Sequence, residues 1–210
     1  MSNKTKPPTY SDLTITVSQI LLYIFVAFPL RLCYRAKRTL PKNIKLLRSG
    51  SLMVANHQSF ADGFYVILAL PFRTYLSMLP LRFPVADWVL RNPFFNPPFF
   101  RLLKFLGCFS IGITSTEKMK GIFYIRSLLK NKKSVVLFPE GSITSDKNVK
   151  ELKEGLDFFK KHAINMTFVR LRGFNVRKGG ESKCSITYGE VFEPPPKMSL
   201  VQMGEYLNSL

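Results

Sequence analysis

The chain has 210 residues, enough for one domain with a core that needs no disulfide or metal to hold it together. Hydrophobic residues make up 46% of the chain and charged residues 21%, which excludes an intrinsically disordered protein. The 31 Lys and Arg against 13 Asp and Glu give a net charge of +18. This excess predicts an anionic partner, such as nucleic acid, a membrane surface or an acidic substrate. The three cysteines lack the spacing of a zinc site, and we expect no bound metal.

The first feature in chain order is an uncharged stretch, residues 13–30. A helix of that length spans about 27 Å, close to the hydrocarbon thickness of a bilayer. Polar residues weaken its first half, so three alternatives stay open: a membrane span, a helix in the membrane interface and a buried helix. Residues 31–48 then contain seven basic residues, against two before the stretch. If the stretch spans, this bias predicts a membrane-associated protein with its main domain on the cytoplasmic side.

Short apolar runs alternate with segments of helical character in the rest of the chain. Ser59 is the candidate N-cap of the first helix after residue 39, and Ser115 or Thr116 that of a later one. The predicted strands cover residues 51–55, 74–78, 108–113, 134–138, 166–171 and 184–188. The predicted helices cover residues 59–70, 116–131, 149–162 and 199–209, with one or two short helices in 85–106.

This alternation predicts an α/β fold. We expect residues 39–210 to form a single layered domain, with a mixed central sheet flanked by helices. Residues 1–38 would be a tail and an N-terminal membrane-associated helix. A second candidate for membrane contact is the stretch 81–109, where Phe, Pro and Trp88 alternate with basic residues. The alternative for this stretch is a Phe-rich loop of the core.

The first candidate catalytic segment is Asn56-His57-Gln58-Ser59-Phe60-Ala61-Asp62, where a predicted strand meets a helix. Sites usually form at that end of an α/β sheet. A histidine is the natural general base near neutral pH, and a carboxylate on its second ring nitrogen fixes the tautomer and stabilises the imidazolium. Asp62 follows His57 by five residues, so the two side chains can meet. The alternative is structural, because Ser59 and Asp62 also have the spacing of a capping box.

The second segment is Phe138-Pro139-Glu140-Gly141-Ser142, directly after the clearest predicted strand. Gly141 permits a tight turn, and the side chains of Glu140 and Ser142 offer polar groups to a substrate. The alternative is an ordinary turn with a solvated glutamate. If the strands are parallel, both segments lie at the same edge of the sheet.

Together, N-H-x-x-x-x-D and, about 80 residues later, F-P-E-G-S resemble the motifs of the glycerolipid acyltransferases, which include the lysophosphatidate acyltransferases. Lys153-Glu154-Gly155 is similar to a short K-x-G element of that family, and the resemblance covers residues 40–175. It implies transfer of a fatty acyl group from a thioester, on coenzyme A or acyl carrier protein, to a lysophospholipid hydroxyl. The thioester is a co-substrate, and no cofactor is implied.

The resemblance also implies roles for the residues of both segments. His57 would deprotonate the acceptor hydroxyl and Asp62 would orient His57, without an acyl-enzyme. The acceptor pocket would be lined by Asn56, Glu140, Gly141 and Ser142. The implied partners are anionic membrane lipids, the lysophospholipid acceptor and, as a further candidate, acyl carrier protein.

Three positions depart from the family's motifs, one of them Phe168, where the last motif commonly has proline. Ile113 and Ile143 stand where the resemblance implies arginines for the acceptor phosphate, and an apolar side chain cannot donate to a phosphate. Arg170 and Arg172 share one face of a predicted strand and are candidates for this contact, the alternative being solvated edge residues. Lys147 and Lys150 are two further candidates.

The departures leave other functions open. One is an acyltransferase for a lysolipid unlike phosphatidate, and another is a relative that binds lipid without efficient catalysis. The net charge also suits a nucleic-acid binder, but no binding motif is present and we expect no nucleic-acid partner. A hydrolase would need a nucleophile beside His57, where Ser59 is the candidate and lacks a G-x-S-x-G context.

Overall fold

In the computed structural model, the apolar runs of the sequence form a seven-stranded sheet with helices on both faces. This arrangement confirms the predicted α/β class with a mixed central sheet. The structure describes residues 10–27, 36–91, 103–144, 148–149, 152–174 and 184–210.

The elements of the described residues are as follows. The strands are β1 (Lys37–Thr39), β2 (Leu52–Ala55), β3 (Leu81–Ala86), β4 (Cys108–Ile111), β5 (Ser134–Leu137), β6 (Met166–Arg172) and β7 (Ser185–Tyr188). The α-helices are α1 (Asp12–Leu22), α2 (Asp62–Ala69), α3 (Phe72–Met78), α4 (Asp87–Arg91), α5 (Ser115–Lys130), α6 (Gly155–Lys160) and α7 (Leu200–Ser209). A π-helix, Tyr23–Ala27, continues α1, and a 3-10 turn, Ile44–Leu46, precedes β2.

The strand order is β1-β7-β6-β2-β5-β3-β4. β6 and β7 pair antiparallel, and the other neighbouring strands pair parallel. In the centre of the sheet, Ala55 of β2 lies opposite Val169 of β6, and Val54 lies opposite Leu137 of β5. Because β2, β5 and β6 run in the same direction, the residues that end or follow them meet at one edge of the sheet.

Successive side chains of the central strands enter opposite cores. On one face, Met53 and Ala55 pack with residues of α2 and α3. On the other face, Leu52 and Val54 pack with residues of α5, α6 and α7. All four side chains are fully buried, which is why β2 is continuously apolar instead of alternating, as expected for a parallel strand covered on both sides.

The helix α1 is anchored to the sheet by a buried polar side chain. Gln19 is 1% exposed, and its amide donates to the carbonyls of Leu81 and Leu106 at 2.8 Å. Its side-chain oxygen accepts the N–H of Leu81 at 2.9 Å. Ile15, one turn earlier, is buried as well. A polar residue of the uncharged stretch therefore fixes α1 on β3 and on the residues before β4.

The opposite face of α1 is apolar and exposed. Leu13, Val17 and Leu21, at intervals of four residues, are 74%, 47% and 49% exposed, and Phe25 of the π-helix is 71% exposed. In the part of the chain that the structure describes, no helix combines the length and apolarity needed to cross a membrane. Residues 28–35, which include the end of the predicted membrane helix, lie outside the described residues.

One predicted strand is wrong. Residues 74–78 lie in α3, and the next strand is β3, inside the stretch 81–109 that we considered for membrane contact. Thr74, Tyr75 and Met78 are buried at helical spacing, and a short apolar run does not distinguish a helix from a strand. In β3, Leu81 and Phe83 are buried, so this part of the stretch belongs to the core.

The starts of two later helices also differ from the prediction. The N-cap of α5 is Thr114 instead of Ser115 or Thr116, since its hydroxyl accepts the N–H of Glu117 while the Glu117 carboxylate accepts the N–H of Thr114. The helix predicted over residues 149–162 is shorter, because its described part begins at Gly155. The predicted strands at 51–55, 108–113, 134–138, 166–171 and 184–188 are present as β2, β4, β5, β6 and β7.

Candidate active site

His57 and Asp62 meet in the turn that leads from β2 into α2. The His57 Nδ1 atom lies 2.9 Å from Asp62 Oδ2, and the Asp62 side chain is fully buried while that of His57 is 22% exposed. A carboxylate only accepts, so Nδ1 carries the proton of this hydrogen bond. The other ring nitrogen, Nε2, is then an acceptor, as a general base requires.

The Asp62 carboxylate also organises the turn itself. Oδ2 accepts the backbone N–H groups of Gln58 and Ser59, and Oδ1 accepts the Ser59 hydroxyl at 2.6 Å. The N-cap position of α2 is Ala61, so the prediction that Ser59 caps this helix is wrong. Asp62 therefore serves both proposed purposes: it holds the turn together and it holds the ring of His57.

The second segment, after β5, packs directly on the first. The Phe138 ring stacks on the His57 imidazole with centroids 4.6 Å apart. Glu140 Oε1 accepts the backbone N–H of His57 at 2.8 Å, and Oε2 accepts the Thr144 hydroxyl at 2.8 Å. The N–H of Thr144 donates in turn to the His57 carbonyl at 2.9 Å. Both carboxylate oxygens of Glu140 are thus engaged within the protein, which differs from the solvated turn considered above.

Gly141 allows a lysine to lie over this turn. Its φ is +71°, in the left-handed region that favours glycine, and a Cβ at this position would lie 2.3 Å from Lys153 Nζ. The Lys153 backbone is held by its N–H, which donates to the carbonyl of Pro139. Lys153 and Ser142 are both exposed, so an ammonium and a hydroxyl flank the turn beside His57. Sequence reasoning identified Lys153 only within a motif and missed this position.

The remaining predicted site residues, Asn56, Arg170 and Arg172, lie on or next to β6. Asn56 is 3% exposed, and its amide donates to the carbonyl of Leu171 while its oxygen accepts the Leu171 N–H. Arg170 and Arg172 share a face of β6 as predicted. Arg170 is 2% exposed, whereas Arg172 is exposed and donates to the carbonyl of Asn208. Burial and the charge of Arg172 lower the pKa of Arg170, and the Glu140 carboxylate opposes this shift.

An apolar row runs from the His57 turn along the same edge of the sheet. Phe60 is 51% exposed and its ring meets that of Trp88, 49% exposed, edge to face at 6.0 Å. Ala86 of β3 lies opposite Ile111 of β4, which places Trp88 and Ile113 at equivalent positions beyond the strands. Ile113 is 59% exposed and Ile143 half-buried. Lys147 and Lys150 lie outside the described residues.

The family model described as Acyltransferase matches residues 31–169, which include both segments. The chain belongs to the acyltransferase family. Among solved structures, the fold of this acyltransferase is similar to that of the 1-acyl-sn-glycerophosphate acyltransferase PlsC from Thermotoga maritima. The TM-score is 0.59 at 18% sequence identity, and the match covers 94% of this chain and 92% of that chain. No curated protein sequence matches the chain. Within the described residues, no group of three or more His, Cys, Asp or Glu is arranged to hold a metal ion.

Proposed function

We propose that this acyltransferase moves a fatty acyl group from an acyl thioester to the hydroxyl of a lysophospholipid, with His57 as general base. The observation that carries the proposal is the contact between His57 Nδ1 and the buried carboxylate of Asp62. This contact leaves Nε2 to accept a proton, and it places a negative charge beside the ring where a positive charge develops.

The reaction then needs two proton transfers and no acyl-enzyme. The acceptor hydroxyl gives its proton to His57 Nε2 while its oxygen forms a bond to the thioester carbonyl carbon. The carbon–sulfur bond of the tetrahedral intermediate breaks, and the leaving sulfur takes the proton back from the imidazolium. Asp62 holds the ring in one tautomer and stabilises the imidazolium, while Phe138 and Glu140 restrict the position of His57.

The acceptor that we favour has an anionic head group of the lysophosphatidate type. Lys153 and Ser142 offer a cation and a hydroxyl beside Gly141, and Arg172 offers a second exposed cation at the end of β6. The likeness to a 1-acyl-sn-glycerophosphate acyltransferase supports the same acceptor. Ile113 and Ile143 favour the second candidate, a lysolipid without a phosphate monoester, because neither side chain donates a hydrogen bond.

The acyl chain would lie along the apolar row of Phe60, Trp88 and Ile113. These three side chains are exposed and lie in three separate segments of the chain, and Phe60 follows His57 by three residues. A fatty chain bound there would remove their apolar surface from water, which favours binding by about 25 cal/mol for each Å². On this proposal, Ile113 contacts the acyl chain instead of the head group.

We propose that α1 lies in the membrane interface with the acyltransferase domain on the cytoplasmic side. The exposed stripe of Leu13, Val17, Leu21 and Phe25 would contact the acyl region. Exposed basic residues nearby in sequence would contact anionic head groups: Lys37, Arg38, Lys42, Lys45 and Arg48.

The test is acyl transfer by the purified protein in liposomes, with acyl-CoA and acyl carrier protein donors offered against a panel of lysolipids. The panel contains lysophosphatidate, lysolipids with a phosphodiester head group and an uncharged monoacylglycerol. We expect His57→Ala to abolish transfer and Asp62→Asn to lower kcat by a factor on the order of 10⁴. His162→Ala, which removes the chain's other histidine, is the control and keeps the wild-type rate.

The outcomes of this panel test the base, the acceptor and the catalytic activity separately. Transfer that survives in His57→Ala would show that His57 is not the base. Use of every acceptor except the phosphate monoester would favour the second candidate. Binding to liposomes without transfer to any acceptor would leave a lipid-binding protein.

A further inference from the structure

Arg170 is the largest fully buried side chain among the described residues. It lies on β6 on the same face as Met166 and Phe168, in the core covered by α5, α6 and α7. Moving a guanidinium from water into such a place is costly unless an opposite charge and hydrogen bonds compensate. A methionine would fill much the same volume at no such cost, so the presence of a charge here calls for a reason.

The sheet register brings Arg170 next to the His57 turn. Ala55, the last residue of β2, lies opposite Val169 of β6, so Arg170 follows this pair on one side and Asn56-His57 follow it on the other. On the other flank of β2, Val54 lies opposite Leu137 of β5, and Glu140 comes three residues later. Arg170 and Glu140 therefore reach the end of β2 from its two neighbouring strands.

The carboxylate of Glu140 acts electrostatically on this cation. Its negative charge acts on Arg170, where it opposes the lowering of the guanidinium pKa by burial and by Arg172. The same carboxylate accepts the backbone N–H of His57 and the hydroxyl of Thr144. A charge that orients Glu140 thus also orients the peptide that carries His57.

We propose that Arg170 is a positioning residue, whose buried charge holds the Glu140 carboxylate in the orientation that fixes the backbone of His57. It acts through Glu140 and does not touch the acceptor, because a side chain 2% exposed offers no surface to a lipid head group. This role differs from the acceptor contact that the sequence suggested for Arg170, and it rests on the proposed role of His57 as base.

The kinetic test compares Arg170→Met, which keeps the volume and removes the charge, with Arg170→Lys, which restores a charge. We expect Arg170→Met to lower kcat about ten- to a hundredfold with the acceptor KM within about twofold of wild type, since small misplacements of a catalytic group cost that much. Arg170→Lys recovers most of the rate. A raised KM at unchanged kcat would instead indicate a contact with the acceptor and overturn the proposal.

A measurement without turnover separates this inference from the proposed function. The chain has two histidines, so in a His162→Ala background the imidazole NMR signals belong to His57 alone. We expect the proton shared by His57 Nδ1 and Asp62 to weaken or vanish in Arg170→Met and to persist in Arg170→Lys. If this happens in a protein that transfers no acyl group, the positioning role stands and the proposed function fails. If His57-dependent transfer and the NMR signal are both unchanged in Arg170→Met, the positioning role fails alone.

A double-mutant cycle asks whether Arg170 acts through Glu140. We expect Arg170→Met to cost little further rate in a Glu140→Gln background, because the group it orients has already changed; additive losses would contradict this. If Arg170→Met does not fold, Arg170→Gln carries the same tests. Arg82→Met is the matched control, since it removes a buried arginine near the start of β3, at the edge of the sheet opposite to the His57 turn. Arg82 pairs with Asp12, so the loss of Arg82 should affect stability while kcat and the His57 signal stay at wild-type values.

Discussion

Glu140 Oε1 accepts the backbone N–H of His57 at 2.8 Å, across 83 positions of the sequence. The contact links the turn after β2 to the turn after β5, and Thr144 closes the loop by donating its own N–H back to the His57 carbonyl. The turn that carries the candidate base and the turn predicted to line the acceptor pocket are therefore one hydrogen-bonded unit. His57 is held at its ring by Asp62 and at its backbone by Glu140.

Thr144→Val should loosen this unit without removing any group that reacts. The substitution deletes the hydroxyl that donates to Glu140 Oε2, and we expect a loss of about 1 kcal/mol in the free energy of unfolding and a several-fold lower kcat. Thr144→Ser keeps the hydroxyl and the wild-type rate. Thr167→Val is the matched control, because its hydroxyl donates to the Gly189 carbonyl, away from His57. Equal effects of the two valine variants on kcat would contradict a role for Thr144 in positioning.

Much of this fold could be predicted because its central strands are short apolar runs buried on both faces. β2, β5 and β6 were recognisable from residues 51–55, 134–138 and 166–171, and their parallel pairing brings the two polar segments together. Where an apolar run was compatible with either element, as at residues 74–78, local pattern did not decide. Packing against the neighbouring strands did, and it placed β3 at Leu81–Ala86.

The pair His57 and Asp62 was predictable for a different reason: both residues lie in one turn. The contacts of Glu140 with His57 and of Asn56 with Leu171 were not, because each joins residues that are distant in the sequence. Asn56, for example, bonds the backbone of Leu171, which is 115 positions away. No local pattern marks such a contact, and the pocket role of Asn56 stays a prediction that the resemblance implies.

Gly141→Ala should both strain the backbone at this position and displace the side chain of Lys153. A Cβ here meets Lys153 Nζ, and a non-glycine residue in the left-handed region costs about 1–2 kcal/mol. We expect lower stability by about that amount, a displaced Lys153 and a raised KM for an anionic acceptor. Gly204→Ala is the control, because a Cβ there would meet only Leu152 at 3.9 Å and the position is helical. An unchanged KM for the anionic acceptor in Gly141→Ala would argue against a role of Lys153 in its binding.

The apolar stripe on α1 should govern attachment to lipid. We expect Leu13→Ser/Val17→Ser/Phe25→Ser to reduce co-flotation with vesicles of phosphatidylglycerol and phosphatidylcholine by at least about tenfold, since each large apolar side chain contributes about 1.5–3 kcal/mol when buried. These side chains are exposed, so the variant should keep its fold. Val201→Ser, which removes an apolar side chain 70% exposed on α7, serves as control. Undiminished flotation of the triple variant would place the membrane contact elsewhere in the protein.

Asp12 should make the anchoring of α1 sensitive to acid. Although burial acts to raise its pKa, hydrogen bonds and charges from Lys133 and Arg82 lower the pKa of Asp12 below its ordinary value of 3.8. A carboxyl group whose pKa is lower in the folded protein stabilises it above the unfolded pKa, and this stabilisation is lost as the pH falls through the folded value. We therefore expect Asp12→Asn to unfold at a lower temperature than wild type at pH 7, and the difference to shrink below about pH 4. Thermal unfolding monitored by circular dichroism at several pH values measures this difference.

Asp157→Asn is the control. It removes a carboxylate of similar exposure that pairs with Lys160 within α6, where an ion pair of this kind contributes little to stability. A difference for Asp12→Asn that stays constant from pH 7 to pH 3 would mean that the ion pairs with Lys133 and Arg82 do not stabilise the docked helix.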